Sequence, residues 1–341
     1  MAMKKDRTYI IAEAGVNHNG DLGIAKKLIK EAKNSGADCV KFQTFKASQI
    51  VTKTSPKAKY QLEVTDNLES QYEMLKKLEL NLDSYKDLIA YCKDIEIDFM
   101  STPYNFQDIE FLENLGVKAF KVASGQLTEL HFLKALARTN KKIILSTGMA
   151  TLSNVFDAVE TIRNEGNNDI VVLQCTTNYP SYIGDSNILA MNTIKESCGV
   201  RVGYSDHVIN NYACFASVAL GAEIVEKHFT LDKKMEGPDH SCSLTPVEFK
   251  ELVEGIRNIE LSLGSAIKKP AIIEIENSKG MKRGMVIIKP IKKGDILTEE
   301  HIGFKRPLKG LPLNLLDTII GKKITKSMDL DESIDYNCIS W

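Results

Sequence analysis

Short apolar runs alternate with amphipathic runs eight times between residues 9 and 263 of this 341-residue chain. The apolar runs are short and rich in β-branched residues, as strands are, and the amphipathic runs repeat their apolar residues at helical spacing. Eight strand-then-helix units over roughly 260 residues predict an α/β fold of the (β/α)8 TIM-barrel type, which typically takes ~250 residues. The predicted strands are YIIAEA (9–14), CVKFQTF (39–45), DFMSTP (98–103), AFKVAS (119–124), KIILST (142–147), IVVLQCT (170–176), VRVGYS (200–205) and EIVEKHF (223–229).

An open, doubly wound sheet is the alternative to a barrel. Such a sheet normally has a glycine-rich first turn of the form GxGxxG, and the stretch AEAGVNHNGD at the end of the first strand lacks that spacing. A long polar connection follows the second predicted strand, from Lys46 to about Ser70. In a barrel this connection lies at the C-terminal ends of the strands, where we expect a lid over the substrate.

The alternation ends near residue 263, and the rest of the chain follows a different pattern. Residues 264–280 (GSAIKKPAIIEIENSKG) predict a linker that contains an extended apolar piece. Beyond it, strand-like runs such as MVIIKPI and IGFKRP are separated by the turn sequences KKGD and KGLP. We therefore expect a barrel over residues 1–263, a linker over 264–280 and a small β-rich domain over 281–341.

The composition argues against several classes of function. A formal net charge of -1 gives no electrostatic case for binding nucleic acid or an anionic membrane surface. No segment approaches the roughly 18 uninterrupted apolar residues that a membrane span needs, and the N-terminal residues pass into the first strand without a visible secretory signal. The 7 cysteines are scattered singly, mostly within apolar stretches. Because this distribution favours buried, reduced thiols, we expect the protein in the cytoplasm.

Polar residues follow the predicted strands at their C-terminal ends, which are the positions that carry function in a barrel. Burying such groups without partners would be costly, so we expect them to face a polar ligand. Lys41 and Gln43 are two residues apart, so both side chains point into the barrel mouth. The whole set comprises Glu13, Asn17, His18, Lys41, Gln43, Thr102, Lys121, Ser124, Gln126, Thr147, Thr176, Thr177, Tyr179, Ser205, Asp206, His207, Lys227, His228, Asp239 and His240.

Two histidines end the seventh and eighth predicted strands, His207 in GYSDH and His228 in EKHFT. For a single histidine, a structural role at the end of a strand is the more natural interpretation. Two imidazoles on adjacent strands can instead share one divalent cation, with carboxylate or water completing its shell. Because only two protein nitrogens are available, the pair predicts a hydrated, exchangeable ion such as Mn²⁺ or Mg²⁺ rather than a structural zinc.

Cationic and hydroxyl side chains among the strand-end residues can bind a phosphate. Lys41, Lys121, Ser124, Thr177 and Ser205 supply the donors that a phosphate requires. A lysine that extends from a strand end towards solvent is the alternative for either lysine alone. That alternative is weaker for two lysines that both lie within apolar strands.

Taken together, these motifs resemble those of the sialic acid synthase family over nearly the whole chain. The family combines a (β/α)8 barrel with a C-terminal antifreeze-like (SAF, β-clip) domain, and KGLPLNLLDTIIGKKITKSMDLDESI is similar to that domain. The matching motifs of the barrel are IIAEAGVNHNGD, VKFQTF, STPYN, FKVASG, ILSTGM, CTTNYP, GYSDH, EKHFTLD and GPDH, and that of the small domain is KRP.

The resemblance implies a reaction and a role for each matching residue. These enzymes condense phosphoenolpyruvate with an N-acylated hexosamine and water, giving phosphate and a nine-carbon 2-keto sugar acid such as N-acetylneuraminate or N,N'-diacetyllegionaminate. His207 and His228 match the ligands of a Mn²⁺ or Mg²⁺ ion, which polarises the aldehyde oxygen of the sugar. The phosphoenolpyruvate positions are Lys41, Thr102, Lys121, Ser124, Thr177 and Ser205. The catalytic positions are Glu13, Gln126, Tyr179 and Asp239, and those around the amino sugar are Gln43, Asn67, Tyr179, Asp239 and Arg306.

Arg306 of the KRP motif matches an arginine that the small domain of the other subunit delivers to the sugar, which implies a domain-swapped homodimer. Gln126 stands where family members often carry an acidic residue, and Thr177 stands where some carry asparagine. The sequences of the motifs GYSDH, CTTNYP and MEGPDH are more similar to those of the bacterial synthases that use a diacetamido sugar than to those of the animal enzyme. The resemblance leaves two acceptors open, N-acetylmannosamine and a 2,4-diacetamido hexose.

Two other functions are alternatives to this one. A phosphoenolpyruvate-dependent 3-deoxy-sugar-phosphate synthase would need a second anion site, and the small domain would have no explanation. A non-catalytic carbohydrate-binding protein would have no need of the two histidines, the lysines or Arg306. Release of phosphate from phosphoenolpyruvate, with and without an amino sugar, separates these possibilities.

Overall fold

The structure is a computed structural model of the protein, and it describes residues 7–66 and 68–341. Within those residues the chain separates into two compact units, one ending at Gly264 and the other running from Ser265 to Trp341. In the same part of the chain, every helix is too short or too polar to cross a bilayer. Asn67, which the sequence analysis assigns to the amino sugar, lies outside the described residues.

The first unit is built on one parallel sheet. In the described part of the chain its eight strands are neighbours in the order β3-β2-β1-β8-β7-β6-β5-β4, and β3 and β4 come into contact at the seam, so the sheet nearly closes. The predicted TIM-like barrel is therefore confirmed. The strands are β1 (Tyr9–Gly15), β2 (Cys39–Thr44), β3 (Asp98–Pro103), β4 (Ala119–Val122), β5 (Lys142–Ser146), β6 (Ile170–Cys175), β7 (Arg201–Asp206) and β8 (Ile224–His228).

One long helix follows each strand, and three short helices lie in the connection after β2. The helices of the first unit are α1 (Leu22–Asn34), α2 (Ala47–Ile50), α3 (Lys59–Val64), α4 (Gln71–Lys77), α5 (Ser84–Asp94), α6 (Phe106–Asn114), α7 (Leu130–Arg138), α8 (Leu152–Asn164), α9 (Ala190–Cys198), α10 (Tyr212–Ala219) and α11 (Pro246–Leu263).

Local chemistry explains where these helices begin and which face they bury. The Asp21 carboxylate accepts a hydrogen bond from the Ile24 N–H at 2.7 Å and starts α1. The apolar residues of α1, Leu28 and Ile29 among them, recur at helical spacing and are buried against the sheet. The same arrangement in the other helices forms one large apolar core between the sheet and the helical layer.

The interior of the barrel has two layers of opposite character. Side chains two residues apart on a strand share a face, so each strand contributes to both layers. Ile11 is followed by Glu13 on β1, and Ile224 is followed by Glu226 on β8. The lower layer, towards the N-terminal ends of the strands, consists of Ile11, Cys39, Met100, Ala119, Ile144, Val171, Leu173 and Ile224. The upper layer consists of Glu13, Lys41, Thr102, Lys121, Ser146, Cys175, Ser205 and Glu226, all buried.

The second unit contains a small apolar core around Met285, Ile287, Leu297 and Ile334. Its strands β9 (Gly284–Ile287) and β10 (Ile302–Lys305) pair antiparallel, and isolated bridges connect the rest. The apolar piece predicted to be extended is instead helical, α12 (Ile272–Met281), and a further short helix is α13 (Leu316–Ile319). The Glu274 carboxylate accepts from the Ala271 N–H at 2.6 Å, and this cap favours the helix.

Candidate active site

A buried polar cavity of about 370 Å³ lies above the upper layer of the barrel. The strands supply its base, and the loops after β3, β4, β6, β7 and β8, with the connection after β2, supply its walls. Most residues predicted from the sequence line this one cavity: Glu13, Lys41, Gln43, Thr102, Lys121, Ser124, Gln126, Thr177, Tyr179, Ser205, His207, His228 and Asp239. Arg306 belongs to the second unit, where its side chain is exposed.

Two lysines and two carboxylates form an ionic cluster at the base of the cavity. The Lys41 Nζ atom lies 2.7 Å from a Glu13 oxygen and 3.7 Å from a Glu226 oxygen. The Lys121 Nζ atom lies 3.3 Å from the same Glu226 oxygen, which also accepts from the Ser205 hydroxyl at 3.2 Å. The second carboxylate oxygen of Glu226 is buried without a hydrogen-bond partner. Because Glu226 lines the cavity, this oxygen is available to accept a hydrogen bond from a ligand.

The cluster gives its two lysines different proton affinities. Burial lowers the pKa of Lys41, but the carboxylates of Glu13 and Glu226 outweigh burial and raise the pKa overall. Burial lowers the pKa of Lys121, and the charge of Lys41 adds to that effect, while Glu226 opposes it only in part. Burial raises the pKa of Glu226, and the charges of Lys121 and Lys41 outweigh it, so the carboxylate is held ionised. An anionic ligand would relieve the mutual repulsion of the two ammonium groups.

Hydroxyl groups and a backbone amide gather beside Lys121. The Gly148 N–H donates to the Ser124 hydroxyl at 3.0 Å. A Cβ at position 148 would lie 1.9 Å from the Thr177 hydroxyl oxygen, so only glycine permits this approach. The hydroxyls of Thr177 and Ser146 are buried without hydrogen-bond partners. Such unsatisfied hydroxyls beside a cation and an amide can donate to the oxygens of a phosphate.

The two predicted metal ligands lie side by side, with ring centroids 5.3 Å apart. His207 donates from Nδ1 to the Thr176 carbonyl at 2.7 Å, which leaves Nε2 free to bind a cation. The Nδ1 atom of His228 is buried without a hydrogen-bond partner and lies 3.9 Å from an Asp239 oxygen. Burial and the neighbouring His207 lower the pKa of His228, which favours the neutral form that metals bind.

A closed metal site is not present within residues 7–66 and 68–341, because no group of three or more His, Cys, Asp or Glu side chains is arranged to hold an ion. His207 Nε2 and the unpartnered His228 Nδ1 are the two nitrogens that could hold a hydrated ion, and the ion itself stays a prediction. The Tyr179 ring covers the pair, with its centroid 4.1 Å from that of His207 and 5.5 Å from that of His228.

Amide, phenol and carboxyl groups also line the cavity. Gln43 donates to Glu13 at 3.2 Å and accepts from the Tyr104 hydroxyl at 3.2 Å. Gln126 donates to the Tyr104 carbonyl at 3.2 Å, and its own carbonyl oxygen is buried without a partner. Burial raises the pKa of Asp239 to about 7, and the charge of Glu13 adds to this shift. These groups can exchange hydrogen bonds with the hydroxyl and amide groups of a sugar.

The strand-end set contains residues that lie outside the cavity. Lys227 pairs with Asp206 at 2.6 Å on the outer face of the sheet, because the alternation along β8 sends it away from His228. Asn17, His18 and His240 are buried but do not line the cavity. Thr147 and Thr176 also lie outside the cavity, and their hydroxyls donate to the backbone carbonyls of Leu173 and Asp185. The expectation that these seven side chains face the ligand is therefore wrong.

Sequence reasoning also missed several residues that line or shape the cavity. Glu226 could have been found, because it is two residues before His228 and shares its face of β8. Ser146 and Cys175 end β5 and β6 on the inner face in the same way. Gly148 contributes a backbone amide, and Tyr60 comes from the connection after β2, with its ring 4.9 Å from that of Tyr179. No side-chain pattern predicts either of these two contacts.

Comparisons with known proteins agree with this geometry. The profile of the NeuB family matches residues 28–268, and that of the SAF domain matches residues 282–340. The chain is 47% identical over 334 residues to an N,N'-diacetyllegionaminic acid synthase of Campylobacter jejuni, covering 97% of this chain and 99% of that protein. A protein of the same name from Legionella pneumophila is 41% identical over 324 residues, covering 94% of this chain and 91% of that one. A crystal structure of the N-acetylneuraminic acid synthetase of Leptospira borgpetersenii matches with a TM-score of 0.71 and 29% identity, covering 80% of this chain and 90% of that one.

Proposed function

This chain belongs to the NeuB family and carries a C-terminal SAF domain, and on that premise we propose that it condenses phosphoenolpyruvate with an N-acylated hexosamine. The enzyme is a nonulosonic acid synthase, in line with its close relatives. Water is the third reactant, and the products are a nine-carbon 2-keto sugar acid and phosphate.

One observation carries the proposal: a donor-rich anion pocket lies beside a pair of imidazoles in a single buried cavity. Lys41 and Lys121 supply the positive charge, and Ser124 and Thr177 line the same cavity, with the Gly148 N–H bonded to the Ser124 hydroxyl. This arrangement fits the phosphate and carboxylate of phosphoenolpyruvate. His207 and His228, 5.3 Å apart, define the neighbouring position for the aldehyde of the sugar.

Carbon–carbon bond formation joins C3 of the enolpyruvate to the aldehyde carbon, and the electron pair of the C=O bond goes to the aldehyde oxygen, which takes up a proton. Water then adds to C2 and loses a proton, giving a tetrahedral intermediate that expels phosphate by C–O cleavage. Lys41 and Lys121 hold the reacting anion and stabilise the charge that leaves with phosphate. Glu13 and Asp239 are the carboxyl groups placed to move protons, since both are buried and have raised pKa values.

The residues at the two strand ends fit a divalent ion, because His228 has a buried, unpartnered nitrogen and His207 has its Nε2 free. His207 and His228 would hold it, with Mn²⁺ or Mg²⁺ as the proposed ion. When bound, the ion would supply Lewis-acid polarisation of the aldehyde oxygen.

The 2,4-diacetamido hexose is the acceptor we propose, with N-acetylmannosamine as the alternative. The identity to two N,N'-diacetyllegionaminic acid synthases over nearly the full chain supports this choice. Gln43, Asn67, Tyr179 and Asp239 would surround the sugar. Gln126 would act by hydrogen bonding, because its unpartnered carbonyl oxygen accepts a hydrogen bond from a hydroxyl group.

We also propose a homodimer in which Arg306 reaches the sugar bound to the other subunit, in the cytoplasm. With α12 helical, residues 264–280 could reach about 40 Å, rather than the roughly 55–60 Å of a fully extended chain. Mixing inactive His207→Ala and Arg306→Ala subunits tests the swap, since a mixed dimer would contain one intact site. Absence of activity in verified mixed dimers would show that each site uses its own Arg306.

The proposed reaction is tested by phosphate release from phosphoenolpyruvate with a panel of acceptors. We expect phosphate and a nine-carbon product, identified by mass spectrometry, with a 2,4-diacetamido hexose and to a smaller extent with N-acetylmannosamine. Sugar phosphates and a no-acceptor sample form the control arms. Turnover with a sugar phosphate alone would favour a 3-deoxy-sugar-phosphate synthase. The absence of turnover with every acceptor would favour a non-catalytic carbohydrate-binding protein.

A further inference from the structure

We infer that Asn17 and Ser243 are positioning residues that hold Asp239 in the cavity through a chain of buried hydrogen bonds. The inference rests on the proposed function, because Asp239 is assigned there to the amino sugar and to proton transfer. The chain joins three segments: the end of β1, the end of β8 and the irregular loop that carries Asp239.

Asn17 is the centre of this chain. Its side-chain amide donates to the Phe229 carbonyl at 2.9 Å and to the Ser243 hydroxyl at 2.9 Å. The Ser243 hydroxyl donates in turn to the backbone carbonyl of Asp239 at 2.5 Å. Asn17 is 1% exposed and Ser243 is 0% exposed, so water does not compete for these bonds.

The same side chain therefore ties the loop to the strand that carries His228. Phe229 directly follows His228, and the His228 carbonyl accepts from the Leu244 N–H at 2.8 Å. Asp239 and His228 come within 3.9 Å of each other across this junction. A shift of the loop would change the distance between the carboxylate and the imidazole.

A second brace holds the N-terminal part of the loop. The Asn19 amide donates to the Glu236 carbonyl at 2.9 Å, and its carbonyl oxygen lies 3.3 Å from His240 Nε2. His240 Nδ1 lies 2.7 Å from the Thr230 hydroxyl. Asn17 and Asn19 of the stretch NHNG, which do not line the cavity, thus hold the loop behind it.

Hydrogen bonds must fix this loop because regular structure does not. Residues 230 to 243 contain neither helix nor strand, and the loop rejoins the barrel only at the bridge between Phe229 and Leu244. The direction of the Asn17 amide is also determined, since a reversed amide would point its oxygen at the Phe229 carbonyl. The isosteric change Asn17→Asp would remove both donors and create that repulsion.

The experiment compares Ser243→Ala with Ser217→Ala as its matched control. Ser217 is likewise 0% exposed, and its hydroxyl donates to a backbone carbonyl, that of Cys214, at 2.7 Å in α10. Both changes remove one buried hydroxyl, so a general loss of stability would affect them alike. For Ser243→Ala we expect kcat/KM for the acceptor to fall about tenfold, as small misplacements of reacting groups do, with KM for phosphoenolpyruvate nearly unchanged.

Hydrogen exchange of the purified proteins supplies a readout that does not depend on activity. Amides of residues 236 to 244 should exchange faster in Ser243→Ala and in Asn17→Asp, and at the wild-type rate in Ser217→Ala. Ser243→Thr, which keeps the hydroxyl, should restore both exchange protection and acceptor kinetics. Unchanged exchange in Ser243→Ala, or equal kinetic effects of Ser243→Ala and Ser217→Ala, would overturn the inference. If Ser243→Ala exchanges faster but the wild-type protein shows no turnover, the proposed function would be overturned and the hydrogen-bond inference would stand.

Discussion

The two sides of the cavity are built from different kinds of structure. On the proposed phosphoenolpyruvate side, Lys41 and Lys121 project from strands, and Gly148 lies two residues beyond the end of β5. On the other side, Tyr60, Gln126, Tyr179 and Asp239 lie on loops or on short helical turns. Strand positions are fixed by the sheet, whereas loop positions depend on a few side-chain contacts. In the proposed reaction, phosphoenolpyruvate would therefore meet groups that strands hold in place, and the sugar would meet groups that depend on loop contacts.

Removal of the metal ligands tests the boundary between the two sides and should have the largest effect. We expect chelation, or the double change His207→Ala/His228→Ala, to reduce turnover by at least about 10³-fold, since a bound cation supplies several kcal/mol of charge stabilisation. Mn²⁺ or Mg²⁺ should restore the chelated enzyme. The exposed His131→Ala is the control. Full activity of the double variant would remove the metal from the mechanism.

Lys121→Met tests the strand side. The change removes the ammonium 3.3 Å from Glu226, and we expect kcat/KM for phosphoenolpyruvate to fall about 10²–10³-fold, the usual scale for one lost charge-stabilising donor. Lys118→Met is the matched control, because Lys118 immediately precedes β4 and its ion pair with Asp98 is at the surface. A variant that loses affinity only for the sugar would reverse the assignment of the two sides.

Gly148→Ala tests whether the backbone amide belongs to the anion pocket. The added Cβ would lie 1.9 Å from the Thr177 hydroxyl, so the pocket must distort. We expect KM for phosphoenolpyruvate to rise about tenfold and the free energy of unfolding to fall by about 1–3 kcal/mol. Gly280→Ala in α12, where a Cβ meets nothing within 4 Å, should change neither quantity appreciably. Normal phosphoenolpyruvate kinetics in Gly148→Ala would separate this amide from the pocket.

Gln126→Glu tests the loop side and should have the smallest effect. A carboxylate in place of the amide loses the hydrogen bond to the Tyr104 carbonyl and adds negative charge near Glu13. We expect the relative use of N-acetylmannosamine and a 2,4-diacetamido hexose to change by about threefold to tenfold, on the scale of one hydrogen bond. The metal requirement should remain as in the wild type. Identical kinetics on every acceptor would place Gln126 outside the sugar site.

The strands and most of the cavity-lining residues were predictable because alternation along a strand is a direct consequence of backbone geometry. The eight predicted strands match the observed ones to within about two residues at each end. The prediction for Lys227 and Asp206 was wrong because it relied on their place beside a histidine in the motif. The face of the strand on which each residue lies decides where its side chain points. Had the alternation been applied to β8 throughout, Glu226 would have been chosen in place of Lys227.

Other features depend on contacts that a sequence pattern does not record. The apolar piece IIEIE in residues 272–276 was predicted to be extended, but the cap at Ala271 by Glu274 favours α12. The contribution of Gly148 comes from its backbone and from the nearness of Thr177, which is 29 residues away in sequence. Tyr60 reaches the cavity through a long connection whose path is set by packing rather than by periodicity.

The lower layer of the barrel has a kinetic consequence. Its apolar side chains, including Ile11, Met100 and Leu173, fill the barrel beneath the cavity, so we expect reactants to enter by a route from the C-terminal ends of the strands. The lysines lie at the base of that route, and Tyr179 and Asp239 lie nearer its opening. In the proposed arrangement the anion would bind before the sugar, and the nine-carbon acid would leave before phosphate. We therefore expect an ordered addition and release, with free phosphate competing against phosphoenolpyruvate for the unliganded enzyme.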